Sequence, residues 1–203
     1  MKTQNFEREL PSGYRQVKYI NAKDAKLGII FNLVALAVLA VVIAVAWLLL
    51  PDCGESCLVV EDPVETLVAL VVFLVAMVGY VVLHELVHGI AYKSLTDEKL
   101  TFGMSWSCAY CGVPNIYTYR RTALISLVSP LIVFSAVFIA LTVALYFVSP
   151  IYYLMSAFLL GLHLGGCSGD IYCTLLFLFK FKDKRTLMRD TGPEQFFYVP
   201  LKD

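Results

Sequence analysis

The sequence is poor in charge, and its positive charges are unevenly spread. Only 16% of the 203 residues are Asp, Glu, Lys or Arg, whereas about 25% is ordinary for a soluble domain. Apolar residues make up 59% of the chain, which is more than a soluble fold can remove from water. None of the 16 lysines and arginines lies in the four longest apolar segments. The composition therefore excludes an ordinary soluble domain and indicates an integral membrane protein.

The four apolar segments are each long enough to cross the hydrocarbon core of a bilayer as a helix. They comprise residues 28–50, 67–90, 123–148 and 151–179. We therefore predict an all-α membrane protein, a four-span transmembrane helix bundle with a short cytoplasmic hairpin-like loop between spans 2 and 3. In this interpretation residues 28–180 form the membrane domain, residues 1–27 a cytoplasmic N-terminal tail and residues 181–203 a cytoplasmic C-terminal tail.

Lysine and arginine are also missing from two of the connections between spans. Residues 51–66 and the Ser149-Pro150 turn contain none, whereas six precede the first span, four lie between the second and third, and six follow the fourth. The positive-inside rule then places both termini in the cytoplasm. The first span is too long, and begins too far into the chain, for a removable signal peptide. We expect a multi-pass protein of the cell membrane that contacts the lipid bilayer and has no nucleic-acid partner.

The sequence lacks a disulfide framework. The predicted topology divides its six cysteines among an outer loop, an inner loop and the last span. Cys53 and Cys57, on the outer side, could pair with each other. Cys108 and Cys111 form one C-x-x-C on the reducing side, which could be half of a metal or redox motif, but a second pair is missing. We favour the interpretation that this isolated motif has no chemical role.

The connection between the second and third spans is rich in aromatic and β-forming residues. Residues 99–121 contain two such stretches, separated by Gly112, Pro114 and Asn115, which is typical of a hairpin. An interfacial aromatic anchor is an equally good interpretation. The aromatic residues that would serve it are Trp106, Tyr110, Tyr117 and Tyr119.

Five ionisable side chains interrupt the apolar spans, and no lysine or arginine accompanies them. His84, Glu85 and His88 lie in the second span, and His163 and Asp170 lie in the fourth. Ionisable side chains inside a bilayer are costly unless they are paired or bound to a metal, so they mark functional sites. Because the two carboxylates have no basic partner, they indicate a cation, and a divalent metal fits.

The segment from His84 to His88 reads H-E-x-x-H. On a helix the i, i+4 spacing puts both imidazoles on one face, one turn apart, where they can bind a single zinc ion. Glu85 would not bind the metal but would act as catalytic base toward a zinc-activated water. The alternative is that these residues are hydrogen-bonded polar side chains between helices.

A third ligand is needed, because a catalytic zinc usually takes three protein ligands. Asp170 is the candidate, since it and the two histidines lie at similar depths below the basic residues that end their spans. The small residues before Asp170 would let a neighbouring helix approach closely or let the span loosen, and a packing motif with a buried acid is the alternative. His163 is expected behind the ligands or lining a cavity, because it could bind the metal only if the glycines broke the helix.

These motifs resemble those of a known protein family. With H-E-x-x-H in the second span, Ser129-Pro130 in the third and Gly169-Asp170 in the fourth, the chain resembles the zincin membrane peptidases, a small bacterial and archaeal family of unknown function. That family is similar to the site-2 intramembrane zinc proteases. The resemblance covers about residues 67–179. It implies His84 and His88 as ligands, Glu85 as catalytic base and Asp170 as third ligand.

The chain departs from the site-2 pattern in two respects. The aspartate there commonly precedes glycine, whereas Asp170 follows one and precedes Ile171, and a PDZ-like accessory domain is missing. In site-2 proteases an edge strand near the site can hold an unwound substrate, and the segment 99–121 resembles such an element.

The sequence thus predicts an intramembrane zinc metalloprotease that hydrolyses peptide bonds in or near the membrane. Two histidines and a carboxylate favour zinc among the available divalent ions. The substrate would be a membrane-embedded or membrane-proximal peptide. The alternative is a non-hydrolytic membrane protein that binds or transports a divalent metal, and a structural protein without bound metal is a third hypothesis.

Overall fold

A computed structural model of the protein describes residues 4–50, 62–105 and 108–201. The described residues are mostly helical, but they also form a five-stranded and a two-stranded sheet. The prediction of an all-α protein is therefore wrong. The predicted pairing of Cys53 with Cys57, and Trp106 as an interfacial anchor, lie outside the described residues.

Four helical runs are long and apolar enough to cross a membrane, as predicted. The helices are α1 (Ala25–Leu48), α2 (Pro63–Thr96), α3 (Arg120–Tyr146), α4 (Pro150–Gly166) and α5 (Ser168–Leu175), and a π-helical turn follows at Leu176–Lys180. The fourth run comprises α4, α5 and this turn. These lengths and compositions indicate a multi-pass membrane protein whose exposed apolar side chains contact lipid.

Aspartates fix the beginnings of the first two long helices. Asp24 Oδ1 accepts the backbone N–H groups of Lys26 and Leu27 at 3.0 and 3.1 Å. Asp62 Oδ1 accepts the N–H of Val64 at 2.8 Å, and Pro63 occupies the first helical position. Each carboxylate satisfies N–H groups that have no intrahelical acceptor, so the helices begin before their apolar segments do.

The five-stranded sheet draws on three distant parts of the chain. Its strands are β1 (Phe6–Glu7), β2 (Tyr14–Asn21), β5 (Tyr117–Tyr119), β6 (Leu187–Asp190) and β7 (Glu194–Pro200). They are antiparallel in the order β1-β5-β6-β7-β2. The sequence did not reveal this sheet, because its strands are short or polar and their partners are far away along the chain.

The chain forms two compact units, and the first holds both sheets. It comprises residues 1–31, 84–130 and 169–203. One face of the five-stranded sheet packs on α3 and α5 through a buried apolar cluster, in which the rings of Phe177 and Phe197 lie 5.0 Å apart. The cluster consists of Ile20, Ala123, Leu127, Cys173, Phe177, Phe181, Met188 and Phe197.

The two-stranded sheet lies in the segment for which a hairpin was predicted. Its strands β3 (Thr101–Met104) and β4 (Ala109–Gly112) are antiparallel, with Phe102 opposite Cys111. Gly112 is required here, because a Cβ at this position would lie 2.2 Å from the backbone nitrogen of Gly192. The first unit thereby brings β4 against the turn between β6 and β7.

The second unit comprises residues 32–83 and 131–168. Gly165 in α4 contacts the backbone of Ala35 in α1, where an added Cβ would lie 2.7 Å from the Ala35 carbonyl oxygen. Helical structure is interrupted between α4 and α5 at Cys167. The small residues of this span therefore have both of the effects considered for them, a close helix approach and a local interruption.

Candidate metal centre

Two buried imidazoles lie side by side on one face of α2. His84 and His88 are one turn apart, and their ring centroids lie 5.0 Å from each other at an interplanar angle of 72°. The i, i+4 spacing produces this arrangement, because residues four apart share one helix face. Both side chains are buried, and both residues belong to the first unit.

The Asp170 carboxylate meets both histidines. It stands in the first turn of α5, and its Oδ2 lies 3.4 Å from His84 Nε2 and 3.3 Å from His88 Nε2. The side chain of Asp170 is 21% exposed, whereas those of the histidines are about half as exposed or less, at 10% and 9%. The Asp170 carboxylate is thus the most exposed of the three side chains.

These distances fit a tetrahedral metal site. One ligand atom from each of the three residues lies within 4.8 Å of the others. With bonds of about 2.1 Å to zinc, neighbouring ligand atoms of a tetrahedron are about 3.4 Å apart, as the two nitrogen-to-oxygen distances are. Charge-assisted hydrogen bonds are usually shorter, at about 2.7–2.9 Å. The arrangement suits a shared cation better than direct hydrogen bonds.

A backbone carbonyl orients His88. Its Nδ1 lies 2.8 Å from the carbonyl oxygen of Ser126 in α3. Because a carbonyl only accepts hydrogen bonds, Nδ1 must carry the hydrogen and donate it. The Nε2 atom, which faces Asp170, is then the one whose lone pair can bind a metal.

Glu85 follows His84 directly and is partly exposed. It contributes no ligand atom to the cluster of His84, His88 and Asp170. As the residue that directly follows His84 in α2, Glu85 is near the cluster. A carboxylate in this position can accept a proton from a molecule bound beside it.

His163 belongs to the second unit, where its contacts include hydroxyl groups, aromatic rings and the thiol of Cys167, whose Sγ lies 3.7 Å from His163 Nδ1. Its Nδ1 lies 3.0 Å from the Tyr80 hydroxyl and its Nε2 lies 3.1 Å from the Ser135 hydroxyl. The rings of Phe134 and Phe138 lie about it, with centroids 6.0 and 5.8 Å away. The expected role of His163 behind the metal ligands stays a prediction.

The sequence did not suggest a buried carboxylate close to α2. The Tyr92 hydroxyl donates to Asp190 Oδ2 at 2.7 Å, and the Gly192 N–H donates to Asp190 Oδ1 at 2.9 Å. Burial raises the pKa of Asp190 to about 6. Tyr92 lies one turn beyond His88 on the same helix face, and this spacing is the one signal in the sequence that could have drawn attention to it.

The C-x-x-C motif has no disulfide, since Cys108 and Cys111 are both free thiols. Burial, with the charges of Asp190 and Glu85 in addition, raises the pKa of Cys111 to about 12. A thiol that stays protonated near neutral pH is a poor nucleophile and a poor metal ligand. The interpretation that the motif has no chemical role stays a prediction.

Comparison with curated proteins and with solved structures finds no match. A protein-family model does match, over residues 77–185, and the family is described as "Putative zincin peptidase". The matched region contains His84, Glu85, His88 and Asp170 and covers more than half of the chain. The chain therefore belongs to this family of zincin-type peptidases, whose description implies zinc as the metal.

Proposed function

We propose that the protein is an intramembrane zinc endopeptidase that hydrolyses peptide bonds in or near the membrane. One observation carries the proposal: the Nε2 atoms of His84 and His88 converge on one oxygen of Asp170, within helical runs apolar enough to cross a membrane. Family membership supports the class of reaction. The likeness to site-2 proteases is part of the proposal.

Three side chains would hold the zinc ion, namely His84, His88 and Asp170. They suit it in type and spacing, because zinc prefers imidazole and carboxylate ligands in a tetrahedral arrangement. The bound ion supplies Lewis acidity, which activates a water molecule and polarises a peptide carbonyl. Water and a peptide would approach the ligands from the side of Asp170, the most exposed of the three.

Glu85 would be the catalytic base. Its carboxylate would take a proton from the attacking water and later give that proton to the nitrogen of the leaving amine. The support for this role is its position, directly after His84 in α2 and outside the group of three ligand residues.

The substrate would be a membrane-embedded or membrane-proximal peptide that pairs with β3 in an extended form. Among the described residues β3 pairs only with β4, and its Phe102 and Met104 are exposed apolar side chains. Gly89, directly after His88, allows β3 to approach α2, because a Cβ there would lie 2.8 Å from Phe102 Cζ. An added strand would bring a peptide bond toward the histidines in aligned form.

Met104 gives a sharper test of strand addition than Tyr117 or Tyr119, because both tyrosines lie in β5 of the other sheet. We expect Met104→Asp to raise KM without loss of zinc, since it places a charge where an apolar peptide would lie. The control is Tyr117→Phe. An unchanged KM for Met104→Asp would argue against this route of binding.

We also propose that both termini are cytoplasmic and that the membrane is the cell membrane. The support is the concentration of lysine and arginine before the first span, after the fourth and between the second and third. A reporter that is active only outside the cytoplasm, fused to the C-terminus, should stay inactive. Activity of that fusion would overturn the proposed orientation.

A metal carrier or transporter is less well supported. That function needs further ligands along the spans, and His163 is the remaining histidine. Both of its ring nitrogens lie within hydrogen-bond distance of hydroxyl groups, which can satisfy a neutral imidazole without a metal. The Cys167 thiol, 3.7 Å from His163 Nδ1, is the further ligand type beside it that a carrier could use.

The decisive experiment measures zinc content and cleavage together. Purified wild-type protein and Glu85→Gln should each hold about one zinc ion per chain, whereas His88→Ala and Asp170→Ala should lose it. With a library of fluorogenic peptides as probe, Glu85→Gln should cleave about 10²–10⁴-fold more slowly than wild type. Wild-type protein without zinc under non-chelating conditions would overturn the proposal, and so would full activity of Glu85→Gln.

A further inference from the structure

The α3 helix contains a proline four residues after Ser126. Pro130 lies inside the helix, and both residues are buried. In an α-helix the N–H of each residue donates to the carbonyl four residues earlier, but proline has no N–H. The Ser126 carbonyl therefore lacks its usual donor within the helix.

His88 supplies a donor in its place. The His88 Nδ1–H group donates to the Ser126 carbonyl oxygen at 2.8 Å, and both groups are buried. A buried carbonyl without a partner is costly, so this contact satisfies α3 as well as the histidine. The contact specifically uses the carbonyl, because the Ser126 hydroxyl has no hydrogen-bond partner in the described part of the chain.

We propose that Pro130 is a positioning residue of the metal centre. By removing one backbone N–H, it keeps the Ser126 carbonyl available to His88 and so fixes the imidazole with Nδ1 protonated and Nε2 directed at Asp170. The 3.3 Å distance from His88 Nε2 to Asp170 Oδ2 is the result of this orientation. The proposal rests on the proposed function in one point, the role of His88 as a zinc ligand.

Substitution of Pro130 should give His88 a competing donor for the Ser126 carbonyl. In Pro130→Ala the new N–H lies where it can donate to the Ser126 carbonyl, so the helix gains a hydrogen bond and the hydrogen bond from His88 to that carbonyl weakens. Such an outer hydrogen bond of a ligating histidine typically contributes about 10–100-fold to metal affinity. We expect the zinc affinity of Pro130→Ala to fall by a factor in this range. Alanine favours helix, so the variant should fold.

Two matched variants separate this effect from other consequences of mutation. Pro150→Ala removes a proline at the first position of α4, where the N–H has no intrahelical acceptor to compete for. Ser126→Ala removes the hydroxyl but keeps the backbone carbonyl. Both should retain the zinc affinity of wild type, and Pro130→Ser should behave like Pro130→Ala because it also restores the N–H.

Two readouts test the proposal, zinc affinity by competition with a chelator and the His88 Nδ1–H signal in a ¹⁵N-histidine NMR spectrum. The chain has three histidines, so His88 can be assigned from the signals lost in His88→Gln. In wild type this hydrogen should exchange slowly with solvent, and in Pro130→Ala it should exchange faster. Unchanged zinc affinity of Pro130→Ala would overturn the positioning role, and so would unchanged exchange of the His88 Nδ1 hydrogen.

The proposed function and the role of Pro130 can be overturned separately. If wild-type protein binds no zinc, or if His88→Gln binds it normally, His88 is not a ligand and the proposed site is wrong. If His88→Gln loses zinc while Pro130→Ala keeps wild-type affinity, the site stands and the role of Pro130 is overturned.

Discussion

The two units of the molecule each bury histidine side chains, but in different chemical surroundings. In the first unit His84 and His88 share one carboxylate oxygen of Asp170. In the second unit His163 lies between the hydroxyls of Tyr80 and Ser135. A hydroxyl can donate or accept, so it can satisfy a neutral imidazole, whereas a carboxylate only accepts. The comparison shows that burial alone does not define the surroundings of a histidine in this protein, since one pair faces a carboxylate and the other histidine faces hydroxyl groups.

Zinc content should show the largest difference between these two regions. We expect His88→Gln to lower bound zinc from about one ion per chain to nearly none, because the amide oxygen is a weak zinc ligand. The same substitution at His163 should leave zinc content unchanged. Plasma mass spectrometry on protein purified without chelators measures both. Loss of zinc from His163→Gln would break the comparison.

The stability of the first unit should depend on pH through Asp190. Because burial raises its pKa to about 6, the folded protein keeps this proton at pH values where the unfolded chain has lost it. The contribution of Asp190 to the free energy of unfolding is therefore fully present below about pH 4. It falls by up to about 3 kcal/mol as pH rises toward about 6.

The variant Asp190→Asn should remove this pH dependence, since the amide does not ionise and the Tyr92 hydroxyl can donate or accept. The measurement is the free energy of unfolding in detergent at pH 4.5 and at pH 7, about the limits of the expected change. A chelator is present so that zinc release does not contribute. Equal slopes for variant and wild type would exclude Asp190 as the source.

The smallest effect is expected in the second unit. Ser135→Ala removes one hydroxyl from His163 and should lower the free energy of unfolding by about 1 kcal/mol. It should leave both zinc content and the pH dependence of stability as they are in wild type. A change in zinc content would mean that the two histidine environments are coupled.

The sequence allowed the local features of the site to be predicted, because they depend on spacing within one helix. The i, i+4 spacing of His84 and His88 places them on one face, and the matched depth of Asp170 suggested that it would join them. The four helices long enough to cross a membrane were evident from composition. Boundaries were less accurate where caps such as Asp62 extend a helix beyond its apolar residues.

The missed features depend on contacts between distant residues. Tyr92 bonds to Asp190, 98 residues later, and His88 bonds to a carbonyl in another helix. The sequence showed Pro130 as part of the Ser129-Pro130 motif. Its proposed effect on His88 could not be predicted, because it depends on the Ser126 carbonyl lying next to His88 in the fold. The five-stranded sheet was missed for the same reason, since periodicity within a short strand does not identify its partner.

The pairing of β2 with β7 has a consequence for how the protein is made. Tyr14 lies opposite Pro200, so this sheet cannot close until nearly all of the described chain has left the ribosome. The helices, by contrast, can enter the bilayer one after another during synthesis. The Tyr92 hydroxyl reaches its acceptor only when β6 is in place, so the helix that carries His84 and His88 gains this hydrogen bond late. Newly inserted chains would pass through a stage in which the spans are in the membrane but the peptidase is still immature.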